Sequence, residues 1–137
     1  MNIRARLWTI LTNAYPAYLR WRYGMDIGKN CRISWKARFD TTVNPKGIHI
    51  GDNVWILSNA VVLAHDHCRN MKADVYIGKD CVIGINAIVM PGVSIGNQSI
   101  IGGGSVVTKN IPPHSIAVGN PAKVIKENIS VVNGIIN

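Results

Sequence analysis

The stretch IGKDCVIGINAIVMPGVSIGNQSIIGGGSVVTKNIP, residues 77–112, decides the fold. Ile77, Ile83, Val89, Ile95, Ile101 and Val107 stand six residues apart, and Cys81, Ala87, Val93, Ser99, Ser105 and Ile111 each follow four places later. A helix repeats an apolar face every three to four residues and a half-buried strand every two, so this period fits neither alone. It fits a coil that returns a side chain to one interior file once per flat side. Three such sides make an 18-residue triangular turn. The same phase runs earlier through Ile27, Ile33 and Phe39, then Ile50, Ile56 and Val62, with Cys31, Ala37, Val43, Val54 and Ala60 as interior partners. Four turns are therefore expected at 27–44, 50–67, 77–94 and 95–112. Stacked at about 4.8 Å per strand, they form an all-β prism roughly 20 Å tall. No helical stretch separates the strands, which argues against a βαβ domain, and the period argues against a sandwich.

Residues 1–26 read as a helical N-terminal cap, 27–112 as the β-helix with an excursion at 68–76, and 113–137 as a C-terminal extension. Leu7, Ile10, Leu11, Ala14, Ala17 and Tyr18 recur at helical spacing. Pro16 should split that segment into a short helix, a kink and another turn. Arg4, Arg6, Arg20 and Arg22 flank Trp8, Tyr15, Tyr18, Trp21 and Tyr23, a mixture that suits either a cap on the first coil or an anionic interface. The apolar run is too short and interrupted to span a bilayer, and it lacks a signal-peptide cleavage pattern.

The net charge of +8 is extended by Lys29, Arg32, Lys36 and Arg38. No nucleic-acid-binding module accompanies it, so a phosphate-rich cofactor or an acidic glycan accounts for the charge more simply than nucleic acid does. The 3 cysteines do not form a disulfide framework, which favours a reducing cytoplasm. Cys31 and Cys81 occupy interior repeat positions, whereas Cys68 follows the candidate histidine and is not expected to be catalytic.

Chemistry concentrates at Ala64-His65-Asp66-His67-Cys68, which opens the longest break in the repeat. A neutral imidazole accepts a proton near pH 7 when a carboxylate or carbonyl fixes its other nitrogen, so His65 and His67 are the general-base candidates. No second His/Cys cluster completes a metal set, and no metal is expected. Downstream, Gly102-Gly103-Gly104 exposes backbone at a turn and Lys109 adds charge, together suited to carbonyl or phosphate oxygens. Pro112-Pro113 ends the regular coil and directs the tail back across a face.

Residues 77–125, with IGDNVWILSNAVVLAHDH at 50–67, resemble the hexapeptide-repeat acyltransferases, in particular small sugar O-acetyltransferases of polysaccharide biosynthesis. The resemblance implies a left-handed parallel β-helix, a hand that the usual crossover rule would not give. It also implies a homotrimer with acetyl-coenzyme A in grooves between prisms. Laid over the family without a gap from the GDNV segment, His67 matches the catalytic histidine and is preferred to His65. Ser34 falls, across a gap, where an asparagine often orients acceptor or histidine. Ile85, Gly103, Thr108, Lys109 and Lys126 match positions around the coenzyme, Thr108, Lys109 and Lys126 towards its nucleotide end. Val82 replaces an aromatic seen beside the coenzyme, and Trp55 is a substitute surface or an interface residue.

The expected activity is O-acetylation of a sugar, sugar-nucleotide or lipid-linked glycan acceptor. It is placed in the cytoplasm or at the inner face of the membrane, where the basic aromatic N-terminus would make peripheral contact. Alternatives that stay open are N-acetylation of an amino sugar nucleotide, serine O-acetylation, and a noncatalytic or metal-binding β-helix. The helical domain and signature of serine acetyltransferases are absent.

Overall fold

A computed structural model describes residues 2–137, and its core is a left-handed parallel β-helix. The first face stacks Asp26–Ile27, Ile48–Ile50, Val75–Ile77 and Ser94–Ile95. The second stacks Arg32–Ile33, Trp55–Ile56, Val82–Ile83, Ile100–Ile101 and Ile116–Val118, all parallel. The third stacks Arg38–Phe39, Val61–Val62, Ile88–Val89 and Val106–Val107. The six-residue register holds through every coil: Phe39 pairs with Val62, Val62 with Val89, and Val89 with Val107. Each two-residue strand sends one side chain out and the next in. Ile33, Ile56, Ile83 and Ile101 thus form one buried file, at 3%, 0%, 0% and 0% exposure. Burying such a side chain is worth roughly 1.5–3 kcal/mol, so repetition of the inward position is what holds the prism together.

The corners explain the residues between strands. At one corner Asn30, Asn53, Asp80, Gln98 and His114 all adopt left-handed backbone, with φ between 55° and 58°. Their amides join the coils, as in Asn53 N–H to Lys29 O at 2.9 Å and Asp80 N–H to Asp52 O at 2.9 Å. Asn and Asp, three of the five, tolerate this conformation better than most residues. At a second corner, a Cβ on Gly84 would lie 2.6 Å from the Gly103 nitrogen, so this coil stacks closely only because the side chain is missing.

Several expectations change. The break at Pro16 is absent: helix α1 runs unbroken from Ile3 to Tyr23. Pro16 and Leu19 are buried against the first coil, and Arg20 donates from Nε to Ile27 O at 2.7 Å and from Nη2 to Gly28 O at 2.8 Å. That packing offsets the hydrogen bond lost to the proline. Val43 is not interior but 43% exposed, because Pro45–Gly47 forms a 3-10 turn that shifts the chain out of phase. The excursion begins at His65 rather than residue 68, as His65–Asp66 leaves the coil and pairs antiparallel with Met71–Lys72. Coil geometry also continues past residue 112, through Ile116–Val118, before Lys123–Lys126 reverses against it. The tail ends in a hairpin, Val131–Val132 with Ile135–Ile136, whose turn at Gly134 presses on the Trp55 ring. Arg32 stacks on the same ring at 4.7 Å, so Trp55 serves tail packing.

Cys31 and Cys81 are buried, as expected; burial pushes the Cys81 thiol up to about 11. None of the described helices is long and apolar enough to cross a membrane.

Candidate active site

The third face leads directly into the site. After Val61–Val62, Leu63 N–H still reaches Val89 O at 3.0 Å and Ala64 is fully buried, so the chain is held in the coil until His65. The excursion closes where Ala73 N–H donates to Ala64 O at 3.0 Å. Within it, Arg69 N–H donates to Asp66 Oδ1 at 3.0 Å and tightens the loop.

One coil below, Asp40 follows Phe39, the last interior position of the first coil. Its Oδ1 accepts from the amides of Val43 at 3.0 Å and Thr42 at 3.3 Å, and its Oδ2 accepts from Asn44 N–H at 3.1 Å. Oδ2 also lies 2.7 Å from His65 Nδ1. The Asp40 side chain is 1% exposed and that of His65 26% exposed, so the carboxylate is inside and the imidazole at the surface. Burial alone would raise the pKa of Asp40. The Val43 amide, the hydrogen bond and charge of His65, and the Asn44 amide outweigh it, leaving the carboxyl below its ordinary value. An ionised Asp40 fixes the His65 tautomer: Nδ1–H is donated inward and the lone pair resides on Nε2. Beside the imidazole is a recess of about 220 Å³ lined by Val43, His65, Asp66, His67, Asn70, Met71 and Lys72.

His67 lines the same recess but is exposed, and among the described residues its side chain has no hydrogen-bond partner. Asp40 was not singled out by the repeat pattern. The available signal was a carboxylate immediately after an interior aromatic, at the coil edge from which the histidines depart one coil later. Ser34 is elsewhere: its Oγ meets Ser58 Oγ at 3.3 Å and accepts from Lys36 N–H at 3.2 Å, so it builds the corner after the second face.

The first face carries a separate cluster. His49 bridges Asp26 through Nδ1 at 2.9 Å and Asp74 through Nε2 at 3.0 Å, and stacks on Tyr76 with ring centroids 4.5 Å apart. These side chains tie three successive coils together. Among the described residues, no group of three or more His, Cys, Asp or Glu side chains is placed to hold a metal.

A bacterial transferase hexapeptide (six repeats) family pattern matches residues 74–109. Galactoside O-acetyltransferase of Escherichia coli K12 is 37% identical over 132 residues, covering 87% of this chain and 63% of that protein. The crystal structure of a maltose O-acetyltransferase from Clostridium difficile 630 superposes with a TM-score of 0.66 at 30% identity, covering 89% of this chain and 81% of that one. The chain belongs to the hexapeptide-repeat acyltransferase family. It spans 63% of the length of the Escherichia coli relative. A galactoside acetyltransferase solved in complex with coenzyme A shares the fold, with a TM-score of 0.60 at 23% identity over 84% of this chain and 70% of that one.

In this hexapeptide-repeat acyltransferase, the residues matched to the coenzyme fall into three places. Ile85 and Gly103 stack at one corner, where Gly104 N–H donates to Ile85 O at 2.8 Å. Thr108 and Lys109 are exposed at the opposite end of the third face, just past Val106–Val107. Lys126 is exposed at the end of the reversed strand, opposite Ile116. The corner at Ile85 is open. Ile85 is 51% exposed, and a Cβ built on Gly104 would meet no atom within 4 Å. That corner leaves a stretch of bare backbone open to solvent.

Proposed function

We propose that this protein is an acetyl-coenzyme A-dependent O-acetyltransferase acting on a hydroxyl of a sugar or glycan, with His65 as general base and Asp40 as its positioning residue. The observation that carries the reading is the buried Asp40 carboxylate 2.7 Å from His65 Nδ1, at the mouth of an open recess. The two O-acetyltransferase relatives support the reaction class. His65 Nε2 takes the proton from the acceptor hydroxyl as its oxygen bonds to the acetyl carbon. Acetyl-coenzyme A supplies that acetyl group as a thioester, whose sulfur leaves as the thiol. The imidazolium formed at His65 is stabilised by ionised Asp40 and returns the proton to the departing sulfur. Ile85 and Gly103 hold the pantetheine, Thr108 and Lys109 the nucleotide end, and Lys126 a phosphate. No covalent acyl-enzyme is required.

A single prism leaves both the Ile85 corner and the His65 recess open on one side. This supports a homotrimer in which a neighbouring prism closes the groove. The short excursion leaves room for a bulky acceptor, a sugar nucleotide or a lipid-linked glycan.

The test is mass-spectrometric detection of acetyl transfer to sugar nucleotides, simple glycosides, serine and lipid-linked glycans. A +42 Da sugar product is expected, with fragmentation placing the acetyl on oxygen. His65→Ala should lower turnover by about 10²–10⁴-fold while sparing coenzyme affinity. A gap-free match to the family favours His67 instead. Loss of turnover in His67→Ala with His65→Ala active would transfer the role, and acetylation of serine alone would overturn the acceptor class.

A further inference from the structure

Helix α1 is packed on one side only. At about 100° per residue, Ile3, Leu7, Ile10, Tyr18 and Trp21 fall within one sector less than about 100° wide, with Ala14 between them and Ala17 at its edge. That sector faces solvent: Ile3 is 84% exposed, Leu7 55%, Ile10 64% and Trp21 80%. The opposite sector holds Pro16 and Leu19, both buried against the first coil. The stripe is therefore not the cap surface, because capping uses the other side of the same helix.

Arg4 and Arg22 border the stripe on one edge and Arg6 on the other, all exposed. The first acidic residue of the chain is Asp26, so nothing in the helix neutralises them. The adjoining coil adds exposed Lys29, Arg32, Lys36 and Arg38. We propose that α1 lies in the plane of an anionic lipid bilayer surface, with its apolar stripe among the acyl chains and its arginines at the headgroups. Charge selects this occupant. A second copy laid on the stripe would set these arginines against the same arginines, with no carboxylate to answer them, whereas an anionic surface answers all of them. At about 1.5 Å per residue the helix presents roughly 30 Å of stripe, enough for several headgroups. The proposal stands independently of acetyl transfer.

Cosedimentation of the full chain with phosphatidylcholine vesicles, with and without about 30% phosphatidylglycerol, tests it. Binding is expected to the anionic vesicles only and to weaken as salt is raised. Arg4→Gln, Arg6→Gln and Arg22→Gln combined should lower the partition coefficient by about two orders of magnitude. Leu7→Ser with Ile10→Ser should abolish it. These positions face solvent, so circular dichroism should be unchanged and transfer to a soluble acceptor should stay at the wild-type level. Failure to bind anionic vesicles would overturn the proposal, as would binding that both variants leave intact. A smaller oligomer in solution for the Leu7→Ser, Ile10→Ser variant, measured by light scattering, would overturn it in favour of an interface between copies.

Discussion

Replacing Asp40 by asparagine changes one atom at a site where four hydrogen bonds converge. Oδ1 serves the amides of Val43 and Thr42, while Oδ2 serves Asn44 N–H and His65 Nδ1. Asparagine offers one acceptor oxygen and one donor group. With its oxygen towards Val43 and Thr42, the NH₂ faces the Asn44 amide and His65, and His65 must present a lone pair at Nδ1. The proton then sits on Nε2, which can no longer accept one from an acceptor hydroxyl. With the amide reversed, the tautomer survives but the Val43 and Thr42 donors are left facing an NH₂. Either way the imidazolium formed during transfer loses an ionised partner. A hydrogen bond to a charged group contributes about 1.5–3 kcal/mol, and the tautomer mismatch adds to it. A loss of about 2–4 kcal/mol in transition-state stabilisation is expected, a fall in kcat/KM of roughly 30- to 1,000-fold.

Steady-state transfer to a soluble sugar acceptor reads that loss, and calorimetric titration with coenzyme A checks that cofactor affinity holds within about threefold. The same substitution has a pH signature. Because the folded-state pKa of Asp40 is depressed, its carboxylate stabilises the fold fully above the unfolded value of about 3.9. That contribution is lost as pH falls through the folded value. The urea-midpoint deficit of Asp40→Asn should therefore be full at neutral pH and shrink below about pH 4. An Asp40→Asn enzyme with kcat/KM within threefold of wild type would refute the dyad.

The remaining predictions concern other parts of the chain. Ile83 is fully buried in the central file, so Ile83→Ala should cost about 2–5 kcal/mol in urea unfolding, and less than about 1 kcal/mol would contradict tight packing there. At His49, burial lowers the pKa, but the Asp26 and Asp74 hydrogen bonds and charges raise it more. The resulting stabilisation is full below the unfolded value of about 6.5 and lost as pH rises through the folded one, so the gap in urea midpoint between wild type and His49→Asn should narrow from pH 5.5 to pH 9. Gly103→Val places branched atoms on the open corner, beyond a Cβ already 3.2 Å from Ile85 O, and should weaken coenzyme A binding at least tenfold by calorimetry. Lys109→Ala should weaken it by a smaller factor, about 3- to 10-fold, and more at low salt than at high.

The solenoid was legible because its energetics are repetitive: one inward residue per side, repeated through Ile33, Ile56, Ile83 and Ile101, writes the coil directly into the sequence. Elements governed by a single local contest were not legible in that way. Pro16 predicts a break by local rule, yet burial of Pro16 and Leu19 against the first coil keeps one helix. Val43 carries the right residue type at the right interval, but the turn at Pro45–Gly47 removes it from the phase. For the site, the histidines were visible as chemistry and the excursion as a break in register. Their carboxylate was not, because Asp40 and His65 are 25 residues apart and meet only through the stacking of Phe39 on Val62. Ser34 was sought by alignment across a gap, whereas the coil register puts Asp40, not Ser34, at the edge from which His65 departs.

That register also bears on the proposal that a neighbouring prism completes the site. Residues 85 and 103 occupy the corner entering the third face, while His65, Thr108 and Lys109 occupy the corner leaving it. The intervening strands are only two residues long, but their outward side chains, Val61, Ile88 and Val106, are half-buried and present a flat apolar strip. A flat strip cannot by itself enclose the proposed coenzyme, which would run from one corner to the other. It becomes one wall of a groove when another surface is brought against it, and a second copy supplies such a surface without any new sequence. The open Ile85 corner and the His65 recess would then be the two ends of one channel rather than two separate features. Sedimentation equilibrium should accordingly show a trimer at assay concentration. An active monodisperse monomer would mean that the third face binds coenzyme unassisted.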